Sequence, residues 1–208
     1  MRYQLIAVLL FLASFQPLKA DEGAVTPTTE GQGVFMRDIY AAAPDSIFPL
    51  LTKNNRLDQI DFRENNMQAV VKNQFDDRSE LLVLSEKYLQ LRLSEHSVVE
   101  MRLLSDSVFC MVQTYYAPAP DSHIRFFDTE WHELPQTIEP PAVDDFLSED
   151  IDTDVRLALK ALPLIKASLS QEDDNITWEL QTSELTREQQ KLAEGKVKEI
   201  IRELKVGS

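Results

Sequence analysis

The chain has 208 residues, enough for one domain with a substantial core or for two small halves that share one. Its formal charge of −14 argues against binding nucleic acid or an anionic membrane through a general electrostatic field. No glycine lies between residues 34 and 194. Phosphate-binding loops, dinucleotide fingerprints, nucleophile elbows and EF-hand loops all need glycine, so this stretch has no place for them.

The first 20 residues have the pattern of a secretory signal peptide. Arg2 provides a positive start, an apolar run extends from Leu5 to Phe15, and Ala20 precedes the predicted cleavage point. The run is too short to span a membrane, and no later run approaches the roughly 20 residues that a spanning helix needs. We therefore predict export to the periplasm or beyond, with no transmembrane segment. Loss of Arg2 and Lys19 with the signal peptide would leave a charge of −16.

Residues 21–33 are rich in Thr, Glu and Gly, which predicts a disordered lead. A single α+β domain is predicted over 34–208. Apolar residues at helical spacing predict helices over Phe35–Ala43 and Lys53–Phe62, the latter capped by Asn54 or Asn55. A further short helix is predicted after Asp45 or Ser46.

A first strand is predicted over Met67–Phe75, and Glu80 to Leu134 is interpreted as four consecutive antiparallel strands. Residues 88–93 either continue the strand over 80–85 or form their own. The favoured register places Leu91 opposite Met101, with Arg92 opposite Glu100 on the solvent face.

A proline-rich linker is predicted near 135–143, followed by a helix capped by Asp152 or Thr153. A hairpin over 164–170 and 176–182 comes next. A capping box of Thr186 and Gln189 then begins a last helix that continues through 196–206. Both parts place a helix before hairpin strands, a pattern of two related halves. The predicted fold is α+β, a curved antiparallel sheet with short N-terminal helices and later helices packed on one face.

Two stretches of the chain carry a family resemblance. The first contains Asp38-Ile39-Tyr40, Pro44-Asp45, Pro49 through Asp58 and Asp61-Phe62, and the second contains Cys110-Met111-Val112, Thr114-Tyr115, Pro118, Asp121-Ser122, Phe126-Phe127-Asp128 and Trp131. Together they resemble an uncharacterised domain-of-unknown-function family of secreted Bacteroidales proteins. The resemblance implies export, one α+β domain and an unknown role in the envelope. It also implies a short final strand after the last helix, whereas 196–206 here keeps helical spacing.

One polar cluster lies beside a predicted helix start: Asn55, Arg56, Asp58 and Asp61. Asp58 and Asp61 share a helix face, and a carboxylate pair performs general acid–base catalysis when burial separates the two pKa values. The structural alternative is a capped helix held to the sheet by an Arg–Asp pair.

Four aromatic residues, Tyr115, Tyr116, Phe127 and Trp131, are the candidate binding residues. Strand alternation sends Tyr115 and Tyr116 to opposite faces, so an uncovered face would present aromatics to a partner. The alternative is a second layer of structure that covers them.

No catalytic residue, metal site or cofactor is predicted. The three histidines lack zinc spacing, and the acidic run over 149–154 lacks the turn glycine of a calcium loop. Cys110 lies between Phe109 and Met111 in a predicted strand, so we predict a buried small apolar residue. The alternative is a catalytic thiol, which would need a basic neighbour to lower its pKa, and none is near in sequence. A Ser-His-Asp triad stays open, although the usual nucleophile turn is missing.

The leading hypothesis is a non-enzymatic exported module that binds an envelope protein, a peptide or a glycan. The alternatives are an envelope hydrolase with a carboxylate pair, and a structural subunit of a surface assembly. The sequence leaves the oligomeric state open.

Overall fold

The computed structural model describes residues 33–205. The predicted signal peptide (1–20) and the predicted lead (21–33), apart from Gly33, lie outside the described residues. Six strands follow one another as an antiparallel meander in which each pairs with its neighbour in the chain. They are β1 (Ala69–Lys72), β2 (Arg78–Leu84), β3 (Tyr88–Ser94), β4 (Ser97–Ser105), β5 (Val108–Tyr116) and β6 (Pro120–Asp128). Residues 80–134 thus contain five strands rather than four, because 88–93 belongs to a separate strand.

Alternation along these strands gives the sheet two buried faces. Leu91 and Phe127 point to the first face, and Cys110 and Phe126 point to the second. The buried strand position predicted for Cys110 is confirmed. We call the two sets of packed side chains the first core and the second core.

The predicted strand register is wrong by two residues. Met101 lies opposite Leu89 instead of Leu91, and Arg92 does not lie opposite Glu100. A slip of two keeps every side chain on its own face, because the side-chain period of a strand is two. The apolar pattern therefore could not detect the error. Arg92 forms its ion pair on the other neighbouring strand, β2.

Helices α1 (Met36–Ala42) and α2 (Lys53–Glu64) pack on the first core. Thr52 caps α2 instead of the predicted asparagines, and Asn55 completes its capping box. The short helix predicted after Asp45 or Ser46 forms turns. The carbonyls of Ala43 and Leu51 and the carboxylate of Asp45 accept from Arg56, which holds this segment to α2 in a non-helical conformation.

The second part of the chain forms a smaller sheet with order β7-β8-β9. The predicted linker near 135–143 is irregular until α3 begins at its last residue, and Asp152 caps α4 as predicted. The predicted hairpin is confirmed, with Ile165 opposite Leu180. The elements are α3 (Val143–Phe146), α4 (Thr153–Ala161), β7 (Ile165–Leu169), β8 (Asn175–Leu180), α5 (Arg187–Ala193) and β9 (Ile200–Glu203).

The helix predicted through 196–206 is wrong. α5 begins at the predicted capping box but ends at Ala193, and Gly195 then takes a φ of 71°. The next residues form β9, the final strand that the family resemblance implied. Short apolar runs do not distinguish helix from strand by spacing alone.

The α+β class is confirmed, but the protein has two sheets instead of one curved sheet. Strand β7 packs across the second face of β4, β5 and β6. The later helices belong to the second core, so the six-stranded sheet is covered on both sides. Among residues 33–205, no helix is long and apolar enough to cross a membrane.

Candidate binding surface

The predicted polar cluster divides into a buried arginine and exposed carboxylates. Arg56 is 1% exposed and donates to the carbonyl of Ala43, to the carbonyl of Leu51 at 3.0 Å and to Asp45 at 3.0 Å. It therefore holds the 43–51 segment to α2, and its ion-pair partner is Asp45. This is an Arg–Asp pair of the structural kind, but it ties the helix to a loop instead of the sheet.

The other members of the cluster have separate roles. Asn55 also donates from its side-chain amide to the carbonyl of Lys72 at 3.2 Å, which joins α2 to β1. Asp58 and Asp61 are exposed, and Asp61 accepts from the side-chain amide of Asn65. The hydrolase hypothesis required carboxylates in a buried environment, and neither of these two has one.

Two of the four candidate aromatics are core residues. Phe127 is 1% exposed and stacks on Phe109 with ring centroids 5.5 Å apart. Trp131 is 7% exposed, and its indole N–H donates to the carbonyl of Ile39 at 2.9 Å. Both belong to the first core, which α1 covers. These two side chains are therefore covered by a second layer of structure, as in the alternative reading of the sequence, and they are not presented to a partner.

Tyr115 and Tyr116 behave differently because their hairpin extends beyond the covering layers. Tyr115 is 50% exposed on the side of the first core, and Tyr116 is 37% exposed on the opposite side. The backbone of this segment is nevertheless well held: the Tyr116 N–H donates to the carbonyl of His96 at 3.0 Å. That bond joins the β5–β6 hairpin to the β3–β4 turn.

A third exposed aromatic lies at the same end of the sheet. In a meander the β1–β2, β3–β4 and β5–β6 turns all lie at one end, and the β1–β2 turn carries Phe75, which is 77% exposed. The first strand predicted over Met67–Phe75 therefore ends too late, since β1 ends at Lys72 and Phe75 lies in the turn. We call this end of the sheet, with Phe75, His96, Tyr115 and Tyr116 on its three turns, the hairpin end.

The turn that presents Phe75 is rigidly built. The side chain of Asn73 is buried, and its carbonyl oxygen accepts from the backbone N–H groups of Phe75 at 2.9 Å and Asp77 at 3.2 Å. Its amide nitrogen donates to the carbonyl of Leu93, at the end of β3. Such a side-chain-closed turn keeps one conformation. Sequence reasoning missed the hairpin end because it assigned Phe75 to a longer first strand.

Sequence reasoning also missed a polar group between the two sheets, formed by Glu100, Arg102 and Ser122. Glu100 and Arg102 are 8% and 6% exposed. Glu100 accepts from the hydroxyl of Tyr88 at 2.7 Å and from the N–H of Leu169 at 3.4 Å. Burial raises the pKa of Glu100, against the lowering effect of these hydrogen bonds, and burial also raises the pKa of Tyr88.

This inter-sheet polar group satisfies the free edge of β7. The hydroxyl of Ser122 accepts from the N–H of Ala167 at 2.9 Å and donates to its carbonyl at 3.4 Å. Arg102 donates to Asp174 at 3.0 Å and to the carbonyl of Gln171 at 2.9 Å. A buried strand edge needs such partners, because unpaired backbone groups are costly. The group therefore has a structural role. Glu100 and Arg102 alternate with apolar residues along β4. A strand with one side in solvent has the same pattern, so the sequence did not reveal that these two side chains are buried.

Chemical alternatives find little support in the described part of the chain. Burial raises the pKa of the Cys110 thiol, which disfavours the reactive thiolate. No group of three or more His, Cys, Asp or Glu residues within 33–205 has a geometry that would hold a metal ion.

Comparisons with other proteins agree with the fold. A family model described as "Protein of unknown function (DUF3256)" matches residues 30–206. The chain is also similar to a solved structure described as a domain of an uncharacterized protein from Porphyromonas gingivalis W83. That match has a TM-score of 0.66 and 24% identity, and it covers 80% of this chain and 92% of the other. At this identity, the likeness shows the fold alone. A comparison with the curated proteins gives no match.

Proposed function

Because the chain belongs to the DUF3256 family of proteins of unknown function, we propose a role from its own geometry: an exported, non-enzymatic module that binds a protein partner at the hairpin end. One observation carries the proposal. Four aromatic side chains are exposed within residues 33–205, and three of them, Phe75, Tyr115 and Tyr116, lie at this one end. The fourth, Phe35, lies at the opposite end, where its neighbour Met36 bonds to the β2–β3 turn.

The exposure of these aromatic side chains leaves apolar surface that a partner can bury. Full burial of a large apolar side chain contributes about 1.5–3 kcal/mol, and this fold obtains only part of that from Phe75, Tyr115 and Tyr116, which are 77%, 50% and 37% exposed. Aromatic residues, tyrosine especially, are also the common anchors of protein interfaces. The hairpin end therefore offers binding energy that folding has not used.

Rigidity supports the same role. The Asn73-closed turn and the hydrogen bond from the Tyr116 N–H to the carbonyl of His96 fix the backbone that carries Phe75 and Tyr116. A preordered surface loses less conformational entropy on association.

The charge around the hairpin end indicates the chemistry of the partner. Two exposed cations flank its first turn, but Lys72 is paired with Asp76 and Arg78 with Glu80. Asp77, Glu95 and Asp121 are exposed at or beside the turns and form no salt bridge among the described residues. A partner that presents Lys or Arg would complement this charge, and Arg would also interact with the tyrosine rings. We therefore propose a basic protein surface as the occupant.

Capture from the envelope fraction of cells that produce the protein tests this function. The wild-type bait is compared with a triple variant, Phe75→Ala, Tyr115→Ala and Tyr116→Ala. The matched control removes exposed leucines elsewhere, as Leu57→Ala, Leu157→Ala and Leu162→Ala. We expect a protein that the wild type and the control retain, that the triple variant loses, and that dissociates as salt rises.

Equal capture by the wild type and the triple variant would overturn the proposal, and so would a wild-type bait that retains nothing above background. Solution mass across a concentration series identifies the case in which the partner is a second copy of the chain. Export is tested separately, by mass spectrometry of the protein from the envelope fraction, which should begin at Asp21.

A further inference from the structure

The ladder between β8 and β9 ends before β8 does. The last pair of that ladder is Trp178 with Ile200, whereas on its other side β8 continues to pair with β7 as far as Leu180. The Gln181 N–H donates to the carbonyl of Leu164 at 2.9 Å. Because backbone groups point alternately to the two sides of an antiparallel strand, the N–H and C=O of Leu180 point away from β7. They point to the side where β9 has already ended.

The residues just before β9, which would have extended its pairing with β8, are bonded to another segment. The N–H of Lys198 donates to the carbonyl of Phe146 at 2.9 Å, and the N–H of Ser148 donates to the carbonyl of Lys196 at 2.9 Å. These bonds pair the residues before β9 with the end of α3. The result is a cavity of about 970 Å³ bounded by the end of β8, by α5 and by residues 195–199.

The charges that line this cavity are unevenly paired. Arg187 and Lys191, one helical turn apart on α5, and Lys198 on the opposite side form no salt bridge among the described residues. The lining residue Glu179 is already bonded to Lys166 at 2.9 Å. The free carboxylates in the lining are those of Glu194 and Glu199. The lining therefore has three unpaired cations against two unpaired carboxylates, in a chain of formal charge −14.

We propose that this cavity binds an extended peptide segment with acidic side chains, which adds as a strand to the free edge of β8 at Leu180. The backbone of Leu180 provides one donor and one acceptor, and the three cations receive the acidic side chains. The site is separate from the hairpin end, so each of the two proposals fails or stands by itself.

Amide hydrogen exchange tests the geometry first. Leu180 and Gln181 are neighbours in the same strand, but only Gln181 has a backbone partner on the β7 side. In the free protein the Leu180 amide should exchange much faster than that of Gln181, by about tenfold or more. Equal protection of the two amides would mean that the edge is closed, and that result would overturn the proposal.

Peptide pools test the ligand chemistry. The probes are equimolar random hexapeptide pools, one with two fixed Glu, one with two fixed Lys, and a Glu pool in which alternate backbone nitrogens are methylated. We expect the Glu pool to shift the amide signals of Leu180, α5 and residues 195–199, and to slow exchange at Leu180. The Lys pool and the methylated pool should act at least several-fold more weakly.

A charge-reversal pair completes the test. Arg187→Glu with Lys191→Glu should weaken the response to the Glu pool about tenfold. Lys53→Glu with Lys87→Glu makes the same change of charge at exposed cations elsewhere and should leave the response within about twofold. No response to the Glu pool at millimolar concentration, an equal response to the methylated pool, or equal losses in the two variants would each overturn the proposal.

Discussion

The two faces of the six-stranded sheet are covered in different ways. On the first face, helices and aromatic side chains pack on the apolar side of the central strands, around Phe109, Phe127 and Trp131. On the second face, a sheet edge is docked, so charged side chains must satisfy backbone groups. One strand, β4, thus has an apolar side and a polar side, and both are buried. Burial of a face therefore does not require an apolar face, provided that each polar atom finds a partner.

Loss of an aromatic from the first core should have the largest effect. Phe109 is fully buried between Phe127 and Trp131, so Phe109→Ala should lower the free energy of unfolding by about 3–5 kcal/mol. Tyr115→Ala, on the same strand and the same face, should change it by less than about 0.5 kcal/mol. Denaturant unfolding measures both. Similar losses would show that the hairpin end is packed against the fold.

Removal of the arginine between the sheets should have the next largest effect. Arg102→Met leaves the backbone carbonyls around Gln171 without their donor, which should cost about 2 kcal/mol. Hydrogen exchange should accelerate in β7 and β8 more than in β3. Arg92→Met, at a more exposed pair with Glu80, is the control and should cost less than about 0.5 kcal/mol. Uniform acceleration across both sheets would contradict separate docking of the smaller sheet.

The buried carboxyl of Glu100 should make the inter-sheet contact depend on pH. Its pKa is raised in the folded state, so the folded protein binds this proton more tightly than the unfolded chain does. The contribution of Glu100 to stability is therefore greatest below the ordinary glutamate pKa, and it declines as pH rises toward the raised value. Relative to Glu100→Gln, the wild type should lose stability over that interval, by about 1 kcal/mol or more for each unit of the shift. Paired unfolding curves at several pH values measure the difference, and a wild type that gains on the variant as pH rises would contradict it.

The smallest expected effect is at an exposed pair at the far end of β6. Asp128 accepts from the ring of His132 at 2.8 Å, and this bond raises the pKa of His132 and helps to lower the pKa of Asp128. The pair stabilises the folded state while His132 is charged, and this contribution is lost as pH rises through the raised histidine pKa. Asp128→Asn should lower the His132 pKa toward its ordinary value, measured by NMR titration. An unchanged His132 pKa in the variant would contradict this prediction.

Local patterns predicted much of the secondary structure. The alternation in β3 and β4, the opposite faces of Phe126 and Phe127, the β7–β8 hairpin and the cap at Asp152 all depend on neighbours within a few residues. Cys110 was likewise predictable as a buried residue. The candidate surfaces were predicted only in part: Tyr115 and Tyr116 are exposed, whereas Phe127 and Trp131 are buried.

The α+β class, the order of most helices and strands before β9, and the apolar faces of the long strands were predictable from the sequence alone, because these follow from side-chain period and local hydrogen bonding. Tertiary structure decided the register of β3 on β4, the strand at 200–203, the ion-pair partner of Arg56 and the burial of Glu100. Each of these depends on a contact between segments distant in the chain. The local pattern is the same in either register of β3 on β4. It is also the same whether the charged side of a strand faces solvent or a second sheet, and it continues past Gly195, where the helix has ended. The energy of the distant contact alone separates the alternatives.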